Sequence, residues 1–178
     1  MKTATQNLEN DHDYILRLID VMEKMMTKFN TDFTHIELVV SLIMNYADGI
    51  HHFKEENLFF PLMIEKGFSN PISAMLHDHE EGRNFVKGMN DGIDKYKQRN
   101  ESALPEIYRN MQGYIDLLRA HIGKENNVLF RMADRVLSAN EQEHMLLKFA
   151  EAERTNSGVG QIQQFITEIE GLEAIYNG

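Results

Sequence analysis

The sequence predicts an all-α protein, an up-and-down four-helix bundle with two additional C-terminal helices, and three observations lead there. Apolar residues recur three or four positions apart through almost all of the 178-residue chain, the spacing of one helical face. No stretch alternates apolar and polar residues as a half-buried strand does. With 42% hydrophobic residues, three prolines and eleven glycines, the composition is that of an ordered chain rather than a linker-rich one.

The first helix carries Leu8, Ile15, Leu18, Ile19 and Met22 on one face. A polar turn from Phe29 to Thr34 closes it, and Thr34 with Glu37 reads as a T-x-x-E capping box opening a second helix that holds Leu38, Leu42, Met44, Leu58 and Met63. Lys66-Gly67 stops that helix; Asn70 and Pro71 read as N-cap and first position of a third. The polar run from Gln98 to Ser102 precedes a fourth helix reaching to about Leu137. Ser138 with Glu141 is a second capping box, opening a fifth helix to about Arg154. Residues 155–160 read as a loop and Gln161 to Tyr176 as a sixth helix. Short connections make neighbours antiparallel. The expected division is a bundle over residues 1–137 and a helical pair over 138–178, packed on the bundle or forming an interface.

The absence of cysteine excludes disulfides, zinc ribbons, iron–sulfur clusters and cysteine nucleophiles together, so any metal must be held by nitrogen and oxygen. Eighteen basic against 28 acidic residues give a net charge of −10 with no local basic cluster, which argues against nucleic acid and anionic lipid as partners. The N-terminus, MKTATQNLENDHD, has no apolar signal core, and the most apolar stretch, Ile36 to Ile50, is interrupted by Glu37, Ser41, Asn45 and Asp48. The expected location is the cytoplasm, with no membrane partner.

An internal repeat carries the chemistry. Residues 51–60, HHFKEENLFF, match 121–130, HIGKENNVLF, at five of ten positions, with H-x-x-K-E in common. His51 and Glu55, like His121 and Glu125, stand four apart on one helix face, so an imidazole and a carboxylate converge. Asp11-His12-Asp13 and Asp78-His79-Glu80 precede the two copies, so the chain reads as two similar hairpins. Counting from the turns puts His12 level with His51, and His79 level with His121, to within about 3 Å at 1.5 Å per residue. Four histidines and two glutamates at one level of a bundle make a dinuclear metal site. With each glutamate bridging, six residues supply about eight bonds, and two six-coordinate irons sharing one oxo or hydroxo bridge need about twelve, which leaves roughly two open positions. The donor mixture suits Fe, Mn or Zn.

This pattern, His12, then His51 with Glu55, His79, and His121 with Glu125, resembles the hemerythrin-like HHE cation-binding domains over roughly residues 6–137. The resemblance implies two irons per chain in a bridged non-haem centre that binds O2 or NO, with Glu55 and Glu125 bridging and the four histidines terminal. Oxygen-carrying members usually have another histidine one turn after the third-helix ligand, where this chain has Arg83. Di-iron repair proteins resemble the four-histidine, two-glutamate set more closely, but they usually carry a cysteine-bearing N-terminal domain, and this chain has no cysteine.

Other polar groups take plainer expectations. His52 with Glu56 is a rival i, i+4 pair, set aside because Ile122 and Asn126 cannot reproduce it in the fourth helix; His52 keeps a place as an outer ligand or hydrogen-bond partner. His77 and His79 diverge by about 200°, so one alone faces inward, and the repeat selects His79. His35 and His144 read as surface or satisfied residues, Tyr114 as a core residue within reach of a bound ligand, and Met44 as core filling. Asp11, Asp13, Asp78 and Glu80 read as solvated, with the option that one fixes an imidazole.

The leading functional expectation is a binding or sensing module for O2, NO or peroxide, used in sensing, storage or stress response and served by an electron donor. The alternatives are a di-iron enzyme of peroxidase, oxidase or iron–sulfur repair type, and a metal-free helical module that dimerises. Glu9-x-x-His12 and Glu141-x-x-His144 have ferritin-like spacing, but the second pair lies outside the repeated hairpins. For the dimer the sixth helix offers a stripe of Ile162, Phe165, Ile166, Ile169 and Leu172.

Overall fold

The computed structural model describes residues 3–28, 31–156 and 160–176. Among these residues there is no strand, and the chain forms six helices: α1 (Ala4–Thr27), α2 (33–65), α3 (Ser69–Lys97), α4 (104–136), α5 (Ala139–Asn156) and α6 (Gln161–Tyr176). No helix among them is long and apolar enough to cross a membrane. α1 packs on α2 and α4, and α3 on α2 and α4, so these four close a ring; α5 lies on α1 and α2, and α6 lies along α1.

Most helix ends fall where local chemistry places them. Gly67 has φ +94°, and the Phe68 and Gly67 amides donate to Met63 O and Ile64 O at 3.0 and 2.9 Å, a Schellman closure of α2. Ser138 and Glu141 exchange the two capping-box bonds that open α5, 3.3 and 2.8 Å. Two start signals move. Asp32 caps α2 in place of Thr34: its Oδ1 accepts from both the Thr34 amide and hydroxyl, 2.9 and 2.8 Å, while Glu37 pairs with Lys97 instead of closing a capping box. α3 starts at Ser69, directly after the Schellman closure, so Asn70 is not an N-cap and Pro71 stands at the third position, where a missing N–H still leaves no intrahelical bond unmade. Of the first predicted turn, residues 29 and 30 lie outside the described residues, as do 157–159 of the second.

Helices α2 and α4 are not α-helical throughout. π turns cover Ile43–His52 and Glu55–Phe59 in α2 and Glu125–Leu129 in α4. A π turn closes over five residues instead of four, so consecutive side chains diverge less around the axis. The repeat reproduces the feature: a π turn begins at each glutamate, and the shared asparagine, Asn57 or Asn127, donates its amide to the carbonyl four residues earlier, Phe53 O at 3.2 Å or Gly123 O at 2.8 Å.

Apolar side chains form two clusters. The larger joins α1, α2, α3, α4 and α6 through residues such as Ile19, Val39, Met89, Ile115 and Ile169. The smaller gathers Leu8, Phe59, Phe60, Phe130 and Phe149 at the other end. Of the sixth-helix stripe, Phe165, Ile169 and Leu172 are buried, with α6 against α1, while Ile162 and Ile166 are half-buried.

Candidate metal centre

Between the two clusters lies a polar layer that is sealed from solvent. His12 comes from α1, His51 and Glu55 from α2, His79 from α3, and His121 and Glu125 from α4; none is more than 2% exposed. The structure therefore brings all six sequence-identified residues together, and it adds His52 at 5% exposure. They form two groups that share Glu55. One is His12, His51, Glu55 and Glu125, the other His52, Glu55, His79 and His121, and in each the donor atoms lie within 4.8 Å of one another. Glu125 Oε2 stands 3.2 Å from both His12 Nε2 and His121 Nε2, and Glu55 Oε2 stands 3.5 and 3.4 Å from His51 Nε2 and His79 Nε2. Each carboxylate thus lies between the groups and reaches an imidazole in both.

Every one of the five imidazoles is anchored from behind. His12 Nδ1 bonds Asn126 Oδ1 at 2.7 Å, His51 Nδ1 bonds Asp11 at 3.3 Å and His52 Nδ1 bonds Asp48 at 3.1 Å. His79 Nδ1 bonds Glu56 at 2.7 Å and His121 Nδ1 bonds Asp78 at 3.2 Å. A carboxylate or amide oxygen can only accept, so each Nδ1 carries the proton and each Nε2 presents a lone pair inward, the arrangement that fixes a ligating histidine. The anchors obey the repeat. Asp11 and Asp78 hold the histidines of the following helix and are themselves bonded by the repeat lysines, Lys54 at 2.5 Å and Lys124. Positions 56 and 126, one after each glutamate, hold His79 and His12 of the opposite hairpin. Phe60 and Phe130, also repeat partners, stack on His79 and His12 with centroids 5.7 and 5.5 Å away.

The inner atoms are left without partners. His12 Nε2, His52 Nε2 and all four oxygens of Glu55 and Glu125 are buried with no hydrogen bond, and His79 Nε2 faces His121 Nε2 at 3.0 Å. Buried polar atoms rarely go unpaired, and each one lacking a partner costs about 1–3 kcal/mol. Burial and the adjacent Glu125 charge push the Glu55 carboxyl well above its ordinary range; Glu125, which burial alone would raise, is held well below it by His121 and His12. Burial, with His12 beside it, pulls His51 down to about 3, and burial with His79 pulls His52 to about 4. Asp11, despite its burial, is lowered to about 2 by His51 and Lys54. Burial lowers His12 and His121, but the adjacent Glu125 carboxylate outweighs it and raises both. Inward-facing imidazoles around two crowded carboxylates are a donor set that fits metal ions.

Some expectations need correction. Asp11 and Asp78 are not solvated: both anchor imidazoles, while Asp13 and Glu80 are exposed. His52 and Glu56, set aside as a rival pair, both belong to the site, Glu56 in the outer ring and His52 in the inner one. In a regular helix, neighbours 100° apart do not both face one point; the π turn over Ile43–His52 brings His51 and His52 in together, and the sequence pattern carried no sign of it. Met44 is half exposed, not core. His77 and His144 are exposed, and His35 bonds the Tyr176 hydroxyl at 2.8 Å. Tyr114 is buried and, with Ile43, Gly82, Val86 and Arg83, lines a cavity of about 150 Å3 that ends on His52.

Comparison with known proteins agrees with this geometry. Over 94 residues, 47% of this chain, it is 35% identical to the iron–sulfur cluster repair protein YtfE of Salmonella typhimurium, a match that spans 40% of that protein. It is 20% identical over 176 residues, 96% of its length, to uncharacterized proteins of Mycobacterium tuberculosis and Mycobacterium bovis, covering 69% of each. No solved structure matches it. The model of the hemerythrin HHE cation-binding domain matches residues 3–133, the span that supplies every inward imidazole and both buried glutamates, and the chain is a member of that family.

Proposed function

We propose that this protein holds two irons per chain, which His12, His51, Glu55, His79, His121 and Glu125 would hold, and binds O2, NO or peroxide there for sensing, storage or stress response. Its frame is an up-and-down four-helix bundle over residues 1–137, with the 138–178 pair packed on it. The observation that carries the reading is the double shell: imidazoles tied outward at Nδ1 around two buried carboxylates whose oxygens have no partner. When bound, the irons would supply redox chemistry toward a diatomic ligand. The chain's own part is to keep the donors aligned, and to exclude water with Phe59, Phe60, Leu129 and Phe130, all nearly inaccessible. The donor types also accept Mn or Zn.

Elemental analysis of anaerobically purified protein tests this: two irons per chain are expected, and Glu55→Ala and Glu125→Ala should each abolish paired loading. Full loading of both variants would refute the assignment. A second reading, iron–sulfur repair, is favoured by the likeness to the Salmonella repair protein over about half of this chain. Restoration of a damaged iron–sulfur enzyme by the loaded protein, compared with simple stoichiometric ligand binding, separates the two. The reading includes an electron donor, a location in the cytoplasm and a homodimer.

A further inference from the structure

The repeat makes the centre nearly two-fold symmetric, and the departures from that symmetry collect at one place. His12 answers to His79, His51 to His121, Glu55 to Glu125, Asp11 to Asp78, Lys54 to Lys124 and Phe60 to Phe130. His52 answers to Ile122, and its anchor Asp48 to Leu118, both members of the larger apolar cluster. Arg83, which bonds Asp48 and Glu56 at 2.8 and 2.6 Å, answers to Leu16, packed against the same cluster. A polar trio thus stands on one side where the other side has three aliphatic residues.

His52 has the marks of the other four imidazoles. It is buried, its Nδ1 is tied to Asp48, and its Nε2 is without a hydrogen bond and within 4.8 Å of donor atoms of Glu55, His79 and His121. Its ring stacks on His79 with centroids 3.8 Å apart. We infer that His52 is a fifth imidazole ligand, so that one metal position is held by His52, His79 and His121 and the other by His12 and His51 alone. This rests on the dinuclear reading above and goes beyond it. The two positions then differ in grip: the three-imidazole position fills first and empties last, and a half-loaded chain carries its ion there.

Anaerobic titration of the full chain with Co2+, followed by its d–d absorption, tests this. Wild type should bind two ions in two unequal steps. His52→Ala should weaken the tighter step by about 100-fold or more, since even outer partners of metal ligands are worth 10–100-fold in affinity, whereas His12→Ala should weaken the other. Millimolar imidazole should restore the tighter step in His52→Ala, because the cavity of about 150 Å3 ends at the position the side chain leaves. If His52→Ala does not fold, Asp48→Ala, which leaves His52 Nδ1 without its acceptor, decides: a loss confined to the tighter step is expected, and unchanged binding overturns the inference. Two unaltered steps in His52→Ala, indifferent to imidazole, also overturn it while leaving the dinuclear reading in place. Failure of wild type to take a second ion removes both.

Discussion

Lys54, itself without solvent contact, brings a full positive charge to Asp11, Asn7 and the partly exposed Glu153 at 2.5, 2.9 and 2.8 Å beside the Phe149 ring. Its repeat partner Lys124 makes the corresponding bond to Asp78 from the surface. The same sequence position therefore carries different weight in each hairpin. Lys54→Met strands the Asp11 carboxylate and should cost about 3–5 kcal/mol, lowering Tm by roughly 10 °C, whereas Lys124→Met should cost at most about 1 kcal/mol; calorimetry of the two variants checks the contrast. Asp78→Ala withdraws the acceptor that orients His121, and should weaken metal binding about 10–100-fold by competition with a chromophoric chelator. At this scale the six inner residues were legible because the repeat printed them twice. His52 was not, because its inward direction depends on backbone geometry that side-chain periodicity does not encode. Asp11 and Asp78 read as solvated because their partners His51 and His121 lie on other helices.

Helix ends were legible where one local device settles them and less so where two compete. Asp32 and Thr34 are both good N-caps two residues apart, and the earlier one takes the amide. The end of α3 is a Schellman closure built on Arg99 at φ +65°, with the Asn100 and Arg99 amides donating to Lys95 O and Tyr96 O at 3.2 and 2.9 Å. A left-handed non-glycine residue costs about 1–2 kcal/mol, so Arg99→Gly should stabilise the protein by about 1 kcal/mol in urea denaturation. At the start of α5, Lys66 and Ser138 hold the Glu141 carboxyl down at about 2, against an ordinary 4.5. A lowered folded-state value gives stability that is complete above pH 4.5 and is lost as the pH falls toward 2. Amide exchange in the first turn of α5 should accelerate over that window in wild type, whereas Glu141→Gln, which can still close the capping box, should lack that step.

Over the whole molecule, six helices in the expected order were readable from periodicity, whereas the resting places of α5 and α6 were not, because an apolar stripe states that it is buried and not against what. α5 delivers Glu153 to Lys54 and Phe149 to the smaller cluster, and α6 shields α1. A chain ending at Leu137 should therefore lose stability and bind metal less well; sedimentation with thermal melting checks this, and a truncated chain of full stability but altered oligomeric state would instead mark the pair as an interface. The polar layer between the clusters also has a topological meaning. Its inner donors run from His12 to Glu125, so on the proposed reading two ions tie together points more than a hundred residues apart. Such ties shrink the unfolded ensemble as long-range disulfides do, and the free energy of ion binding adds to that of folding. In a protein built without cysteine, the centre that takes up a small molecule is also its cross-link, and oxidation or chelation that releases an ion would unfasten the two ends of the core from each other.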